Sequence, residues 1–221
     1  MPAFFSVVMA TWNRADRLSR AIDSVLAQSD DDWELIIVDD GSTDATAAMV
    51  TPYRRERRLV WLPRSHEGVW PAKNAGAAEA RGRWITFLDS DDAYTPEHLA
   101  ARRRCLAANP EARFVHGGVT VLGPEPMRWV PDAIDPTRMV PLADCAIGAT
   151  FVVESRFWSV LGGFTPNRWA ADADLLARAM SIEPSCVVRC DEPTYLYVRT
   201  PGEGVCEEQR LQAVKPPWPA S

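Results

Sequence analysis

The run Arg83-Trp84-Ile85-Thr86-Phe87-Leu88 stops abruptly at Asp89-Ser90-Asp91-Asp92. A short apolar run bounded by polar residues reads as a buried strand. This one carries a cluster of carboxylates to its C-terminal edge, where open α/β sheets bind ligands. Carboxylates that close repel one another enough to shift their ionisation unless positive charge lies among them. A hard divalent cation, Mg²⁺ or Mn²⁺, meets that need, because it prefers oxygen and bridges one or two carboxylates to phosphate. The simpler reading makes Asp91 or Asp92 the cap of the next helix. Thr95-Pro96, however, already offers an N-cap and a first-turn proline.

The same pattern of apolar run and polar stop occurs twice earlier. Residues 4–10 read as a strand ending in Thr11-Trp12-Asn13-Arg14, and residues 33–38 as one ending in Asp39-Asp40-Gly41-Ser42. Leu18, Ile22, Val25 and Leu26 recur at helical spacing between them. Ser42 or Thr43 is then expected to cap a short helix over 44–49, followed by a strand at 59–62 and a helix at 71–80. The helix after the aspartates is expected to run from 96 to 108, stopped by Asn109-Pro110. Such alternation predicts an α/β fold with a mostly parallel central sheet and helices on both faces.

Beyond residue 110 the pattern is less regular. Residues 114–122 read as one strand, and five prolines then punctuate a connection over 123–141 of the kind that forms lids or binding loops. A strand at 145–153, a helix ending at Leu161, a helix over 171–179 and strands at 186–189 and 195–198 follow. The chain reads as a single domain over 1–205 with a tail over 206–221.

Composition narrows the function. A net charge of −6 supplies no basic footprint for nucleic acid. No stretch is long and apolar enough to be a transmembrane segment, and the N-terminus lacks the basic region of a signal peptide. The five scattered cysteines fit reduced thiols, hence a cytoplasmic protein.

Three strand ends thus bring acidic or aromatic groups to one edge of the sheet. In Val7-Val8-Met9-Ala10-Thr11-Trp12-Asn13-Arg14, Ser24-Val25-Leu26-Ala27-Gln28 and Leu35-Ile36-Ile37-Val38-Asp39-Asp40-Gly41-Ser42-Thr43-Asp44, the chain closely resembles the inverting glycosyltransferases of family 2, which have the GT-A fold. Lys73-Asn74-Ala75-Gly76, Arg81-Gly82, the aspartate cluster, Gly162-Gly163-Phe164 and Asp172-Ala173-Asp174-Leu175 extend the match.

The resemblance implies a metal-dependent enzyme that moves a sugar from a nucleotide-sugar donor, a UDP-sugar, to a hydroxyl acceptor. That acceptor would be a glycan, a lipid-linked molecule or a small molecule. Residues 1–110 would form the nucleotide-sugar half and 111–205 the acceptor half. Ala10, Thr11, Trp12, Asp40, Lys73 and Asp89 would contact the donor. Asp40 would accept a base N–H, and Trp12 would stack on the base or pack in the core. Lys73 would neutralise phosphate or be a solvated side chain. Asp91 would bind Mn²⁺ or Mg²⁺. The family often carries a Glu-Asp pair at a helix start as catalytic base; here it reads Ala171-Asp172, leaving Asp172 as the catalytic candidate and Asp174 as second choice. A histidine that relatives carry after a Tyr-Arg strand is replaced by Thr200, and His66, His98 and His116 read as surface or packing residues. Trp129, Trp158 and Trp169 are candidates for a sugar platform or for core packing. The losses at 171 and 200 also admit a non-catalytic nucleotide-sugar-binding protein of the same fold.

Overall fold

A computed structural model describes residues 3–132, 135, 137–166 and 170–199. Trp169, Thr200 and the tail lie outside the described residues. The N-terminal half runs β1 (Phe5–Thr11), α1 (Leu18–Leu26), β2 (Trp33–Asp39), α2 (Thr46–Val50), β3 (Leu59–Pro63), α3 (Val69–Glu79) and β4 (Trp84–Phe87). It continues with β5 (Ala93–Tyr94), α4 (His98–Ala108), β6 (Phe114–His116) and β7 (Val119–Leu122). The remainder comprises β8 (Trp129–Pro131), β9 (Met139–Pro141), β10 (Val152–Glu154), α5 (Ser155–Leu161), α6 (Ala171–Ile182), β11 (Val187–Arg189) and β12 (Tyr195–Val198).

Seven strands pair in the order β11-β6-β10-β4-β1-β2-β3. β1 is parallel to β2 and β4, β2 to β3, and β6 to β11; β10 runs antiparallel between β4 and β6. Every residue of β1 is buried, as expected for the middle of a sheet covered on both faces. Phe5, Val7 and Met9 pack on one side with Leu18, Ile22 and Val25 of α1, while Val8 faces Phe87, Phe157 and Phe164 on the other. The alternation expected from the sequence is therefore what the sheet contains.

Three local expectations need correction. Residues 114–122 form two strands in two sheets: β6 joins the main sheet, and β7 pairs with β12 in a smaller sheet ordered β5-β12-β7. Gly117 and Gly118, both at positive φ (89° and 72°), turn the chain between them. Of residues 145–153 only the end is strand, because a short 3-10 turn occupies Gly148–Thr150, another having come just before at Leu142–Asp144. Neither expected side-chain cap forms. The Ser42 hydroxyl accepts the Asn13 N–H instead, and α4 starts at His98, with the Thr95 hydroxyl buried and unpartnered among the described residues. The proline-rich connection contains an antiparallel hairpin, β8 against β9, with Trp129 and Met139 on its exposed side.

Candidate functional site

The C-terminal ends of β1, β2 and β4 lie side by side in the sheet, since β1 is hydrogen-bonded to both of the others. Hydrogen bonds tie the polar turns that follow. The Asp40 N–H donates to the Thr11 carbonyl at 2.9 Å, and Asn13 Oδ1 accepts the N–H of Thr43 at 2.8 Å. Asn13 itself is at φ 50°, a left-handed geometry that asparagine tolerates better than most residues. Ala10 and Thr11 are buried, and the Thr11 hydroxyl has no partner among the described residues.

Trp12 is not a core residue; it is 48% exposed at the end of β1. One face of its indole is covered by the His66 ring, with centroids 4.4 Å apart and planes 23° from parallel. Asp40 is buried, and both of its oxygens are held by backbone: Oδ1 accepts the Glu67 N–H at 2.8 Å and Oδ2 the Gly68 N–H at 2.9 Å. His66 Nδ1 lies 2.9 Å from Asp40 Oδ2. In sequence His66 reads as a surface or packing residue; no local signal shows that the turn after β3 meets the turn after β2.

Lys73 is not solvated. Its side chain is 2% exposed, and Nζ pairs with Asp89 Oδ1 at 2.6 Å. Its ammonium also lies 5.2 Å from the Trp70 ring centroid, an electrostatically favourable place for a cation. Asp91 faces Arg14, with 3.6 Å between Nη2 and Oδ2, while its backbone carbonyl accepts from Arg20. Burial, and then the neighbouring Asp89 charge, push the Asp91 carboxyl above its usual range. Asp92 is engaged structurally. Its oxygens accept the Tyr195 hydroxyl at 2.6 Å and the Val198 N–H at 2.7 Å, bolting the acidic turn to β12.

In the C-terminal half of the chain, Asp172 sits in the first turn of α6. Burial raises its carboxyl above the ordinary value, against the pull of the Ala173 and Gly148 N–H groups and of the Lys73 charge. Asp174 is engaged elsewhere, accepting from Thr165 Oγ1 at 2.9 Å and Arg178 Nε at 3.0 Å. Ala171 is fully buried in the core, so a longer acidic side chain there would point into apolar packing. Trp158 is also a core residue, whereas Trp129 is 40% exposed.

Among the described residues no group of three or more His, Cys, Asp and Glu side chains could hold an ion unaided. Asp89 and Asp91 suit the other mode of Mg²⁺ binding, in which one or two carboxylates are completed by phosphate oxygens and water. A cation there would relieve the Asp89 repulsion that adds to burial in raising Asp91.

A model of the family described as glycosyl transferase family 2 matches residues 6–131, more than half of the chain. The chain belongs to glycosyl transferase family 2. Among named relatives, the PGL/p-HBAD biosynthesis glycosyltransferase of Mycobacterium bovis is 31% identical over 189 residues, 84% of this chain and 72% of that protein. The succinoglycan biosynthesis protein ExoO of Rhizobium meliloti is 48% identical over 93 residues, 42% of this chain. The chain spans about a quarter of the length of ExoO, with 26% of that protein matched. Staphylococcus aureus TarS (residues 1–349) in complex with UDP-GlcNAc superposes with TM-score 0.72 at 21% identity, covering 92% of this chain and 60% of that one. The mannosyltransferase PcManGT from Pyrobaculum calidifontis, in complex with GDP-Man and Mn²⁺, gives 0.71 at 18% identity, covering 96% and 61%. At such identities the likeness is one of fold, and the fold of this family 2 chain is GT-A. No helix among the described residues is long and apolar enough to cross a membrane.

Proposed function

We propose that this family 2 chain is a metal-dependent inverting glycosyltransferase that transfers a sugar from a UDP-sugar to an acceptor hydroxyl. The observation that carries the reading is the buried Lys73. It pairs with Asp89 at 2.6 Å, and its charge also favours the ionised forms of Asp91 and Asp172, so one buried cation acts on the candidate carboxylates of both halves. Asp40 would accept an N–H of the base and Trp12 would stack on it, above a floor formed by Ala10 and Thr11. Lys73 and Asp89 would meet the ribose and diphosphate. Asp91, with Asp89, would hold Mg²⁺ or Mn²⁺, which when bound would stabilise the departing nucleoside diphosphate as a Lewis acid. Asp172 would take the proton of the acceptor hydroxyl as that oxygen attacks the anomeric carbon from the side opposite the leaving group. Its raised pKa suits a base, because proton affinity grows as the carboxylate is desolvated. The acceptor class is a glycan, a lipid-linked molecule or a small molecule. The thiols of Cys105, Cys145, Cys186 and Cys190 support a reducing, cytoplasmic setting.

Calorimetric titration of UDP in Mn²⁺ tests the donor side. Asp91→Asn should weaken UDP by about tenfold, the loss of one charged ligand. Unchanged affinity would remove Asp91 from the metal site. The buried Ala171 favours a second reading, nucleotide-sugar binding without transfer. Release of UDP from a UDP-sugar that depends on Asp172 would exclude it.

A further inference from the structure

The Trp12-His66 stack at the ends of β1 and β3 lies outside the residue roles that the family resemblance implies. His66 Nδ1 lies 3.0 Å from the Asp40 carbonyl oxygen and 2.9 Å from Asp40 Oδ2. Both are acceptors, so Nδ1 carries the proton and donates. Gly41 makes this approach possible. A Cβ at Gly41 would come within 2.8 Å of the His66 backbone nitrogen, and its φ of 76° disfavours any other residue. The Asp40 carboxylate therefore receives three donors: the N–H groups of Glu67 and Gly68 and His66 Nδ1. A carboxylate offers about four acceptor positions, which leaves one. The rings of Trp12 and His66, 4.4 Å apart, leave no room between them for a base, since intercalation needs about twice that spacing. The face of Trp12 turned away from His66 is the one available.

We propose that His66 is a positioning residue of the base pocket. It backs Trp12 so that the base stacks on the opposite face, and it limits Asp40 to a single N–H of that base. The substrate class this fits is a nucleotide whose base presents one N–H to the pocket, a uracil or thymine imide, and not guanine with its adjacent N1–H and N2–H₂. The inference rests on the donor-site reading above.

The test compares the full chain with His66→Ala and His66→Asn, titrating UDP, TDP, GDP and ribose 5-diphosphate in Mn²⁺. Wild type should prefer UDP or TDP to GDP. His66→Ala should lose about tenfold in affinity for UDP or TDP, while ribose 5-diphosphate, which has no base, stays within about twofold. His66→Asn, which can still donate to Asp40, should recover part of the loss. A role in fold stability alone would weaken the base-free ligand equally, and that result would overturn the proposal. So would unchanged UDP or TDP affinity in His66→Ala, or a wild-type preference for GDP. Wild type that binds no nucleotide at all would instead reject the donor-site reading, and the proposal with it.

Discussion

At the residue scale, the acidic side chains that look alike in sequence separate by their partners. Asp92 is tied to Tyr195 and Val198 and Asp174 to Thr165 and Arg178, whereas Asp91 faces Arg14 and Asp172 accepts the backbone N–H groups of Gly148 and Ala173; burial raises Asp91 and Asp172, as it does Asp92. Asp172→Asn is expected to lower turnover by about 10²–10⁴-fold while UDP affinity in Mn²⁺ stays at the wild-type value, because a base acts on the acceptor. If Asp174→Asn is the inactive variant instead, the base is one step further along α6. Wild-type kcat/KM should rise with pH, with a midpoint above the ordinary aspartate value of 3.8, since burial raises the group and the base works deprotonated. The stability sign follows from the same shift. A folded-state pKa above the unfolded one means that the native protein holds the proton longer, so this group's contribution falls as pH rises through that window. Asp172→Asn should therefore melt above wild type at pH 7, and the difference should shrink toward pH 3. A lower melting point at pH 7 would mean that the Gly148 and Ala173 hydrogen bonds outweigh the burial.

At the scale of elements, α3 is where sheet and site are joined. Gly76 lets the helix settle on β1 and β2: a Cβ there would lie 2.5 Å from Val8 Cγ1 and 2.9 Å from Val38 Cγ2. Asn74 on the same helix exchanges two hydrogen bonds with the Phe164 backbone, at 2.8 and 2.9 Å, and so ties α3 to the segment after α5. Lys73 is carried between these contacts to Asp89. Gly76→Ala gains helix propensity of roughly 0.5–1 kcal/mol but overpacks two β-branched side chains, at a cost of about 1–3 kcal/mol. Equilibrium unfolding in urea should show a lower midpoint with an unchanged slope. A midpoint at or above wild type would mean that α3 can lift from the sheet without penalty. The Lys73-Asn74-Ala75-Gly76 motif is visible in the sequence, but which residue packs, which ties and which pairs can be read only from the assembled helix and sheet.

For the whole molecule, the proposed donor site draws on turns after four strands, so ligand binding should stabilise the domain as a unit. UDP with Mn²⁺ at about 100 times its Kd adds about 2.7 kcal/mol. For a chain of this size that corresponds to roughly 5–10 °C in Tm. Chelation by EDTA should remove the shift, and a shift that survives EDTA would make binding independent of metal.

The sequence alone determined the alternation of strands and helices up to residue 110, the mostly parallel sheet and the acidic ends of its strands, because apolar runs and their polar stops are local signals. The resemblance to family 2 also marked Asp172 as the candidate base, where the family's Glu-Asp pair reads Ala171-Asp172. Tertiary structure alone decided that Lys73 is buried against Asp89, that His66 meets Asp40 and Trp12, and that residues 114–122 divide between two sheets. It likewise assigned Asp92 to Tyr195, 103 residues away in the chain. The physical reason is common to all four. Periodicity reports which face of an element is apolar, but the partner of a long or polar side chain depends on which loops the fold closes over it, and buried charges and hydrogen-bonding groups are satisfied only once those loops have met.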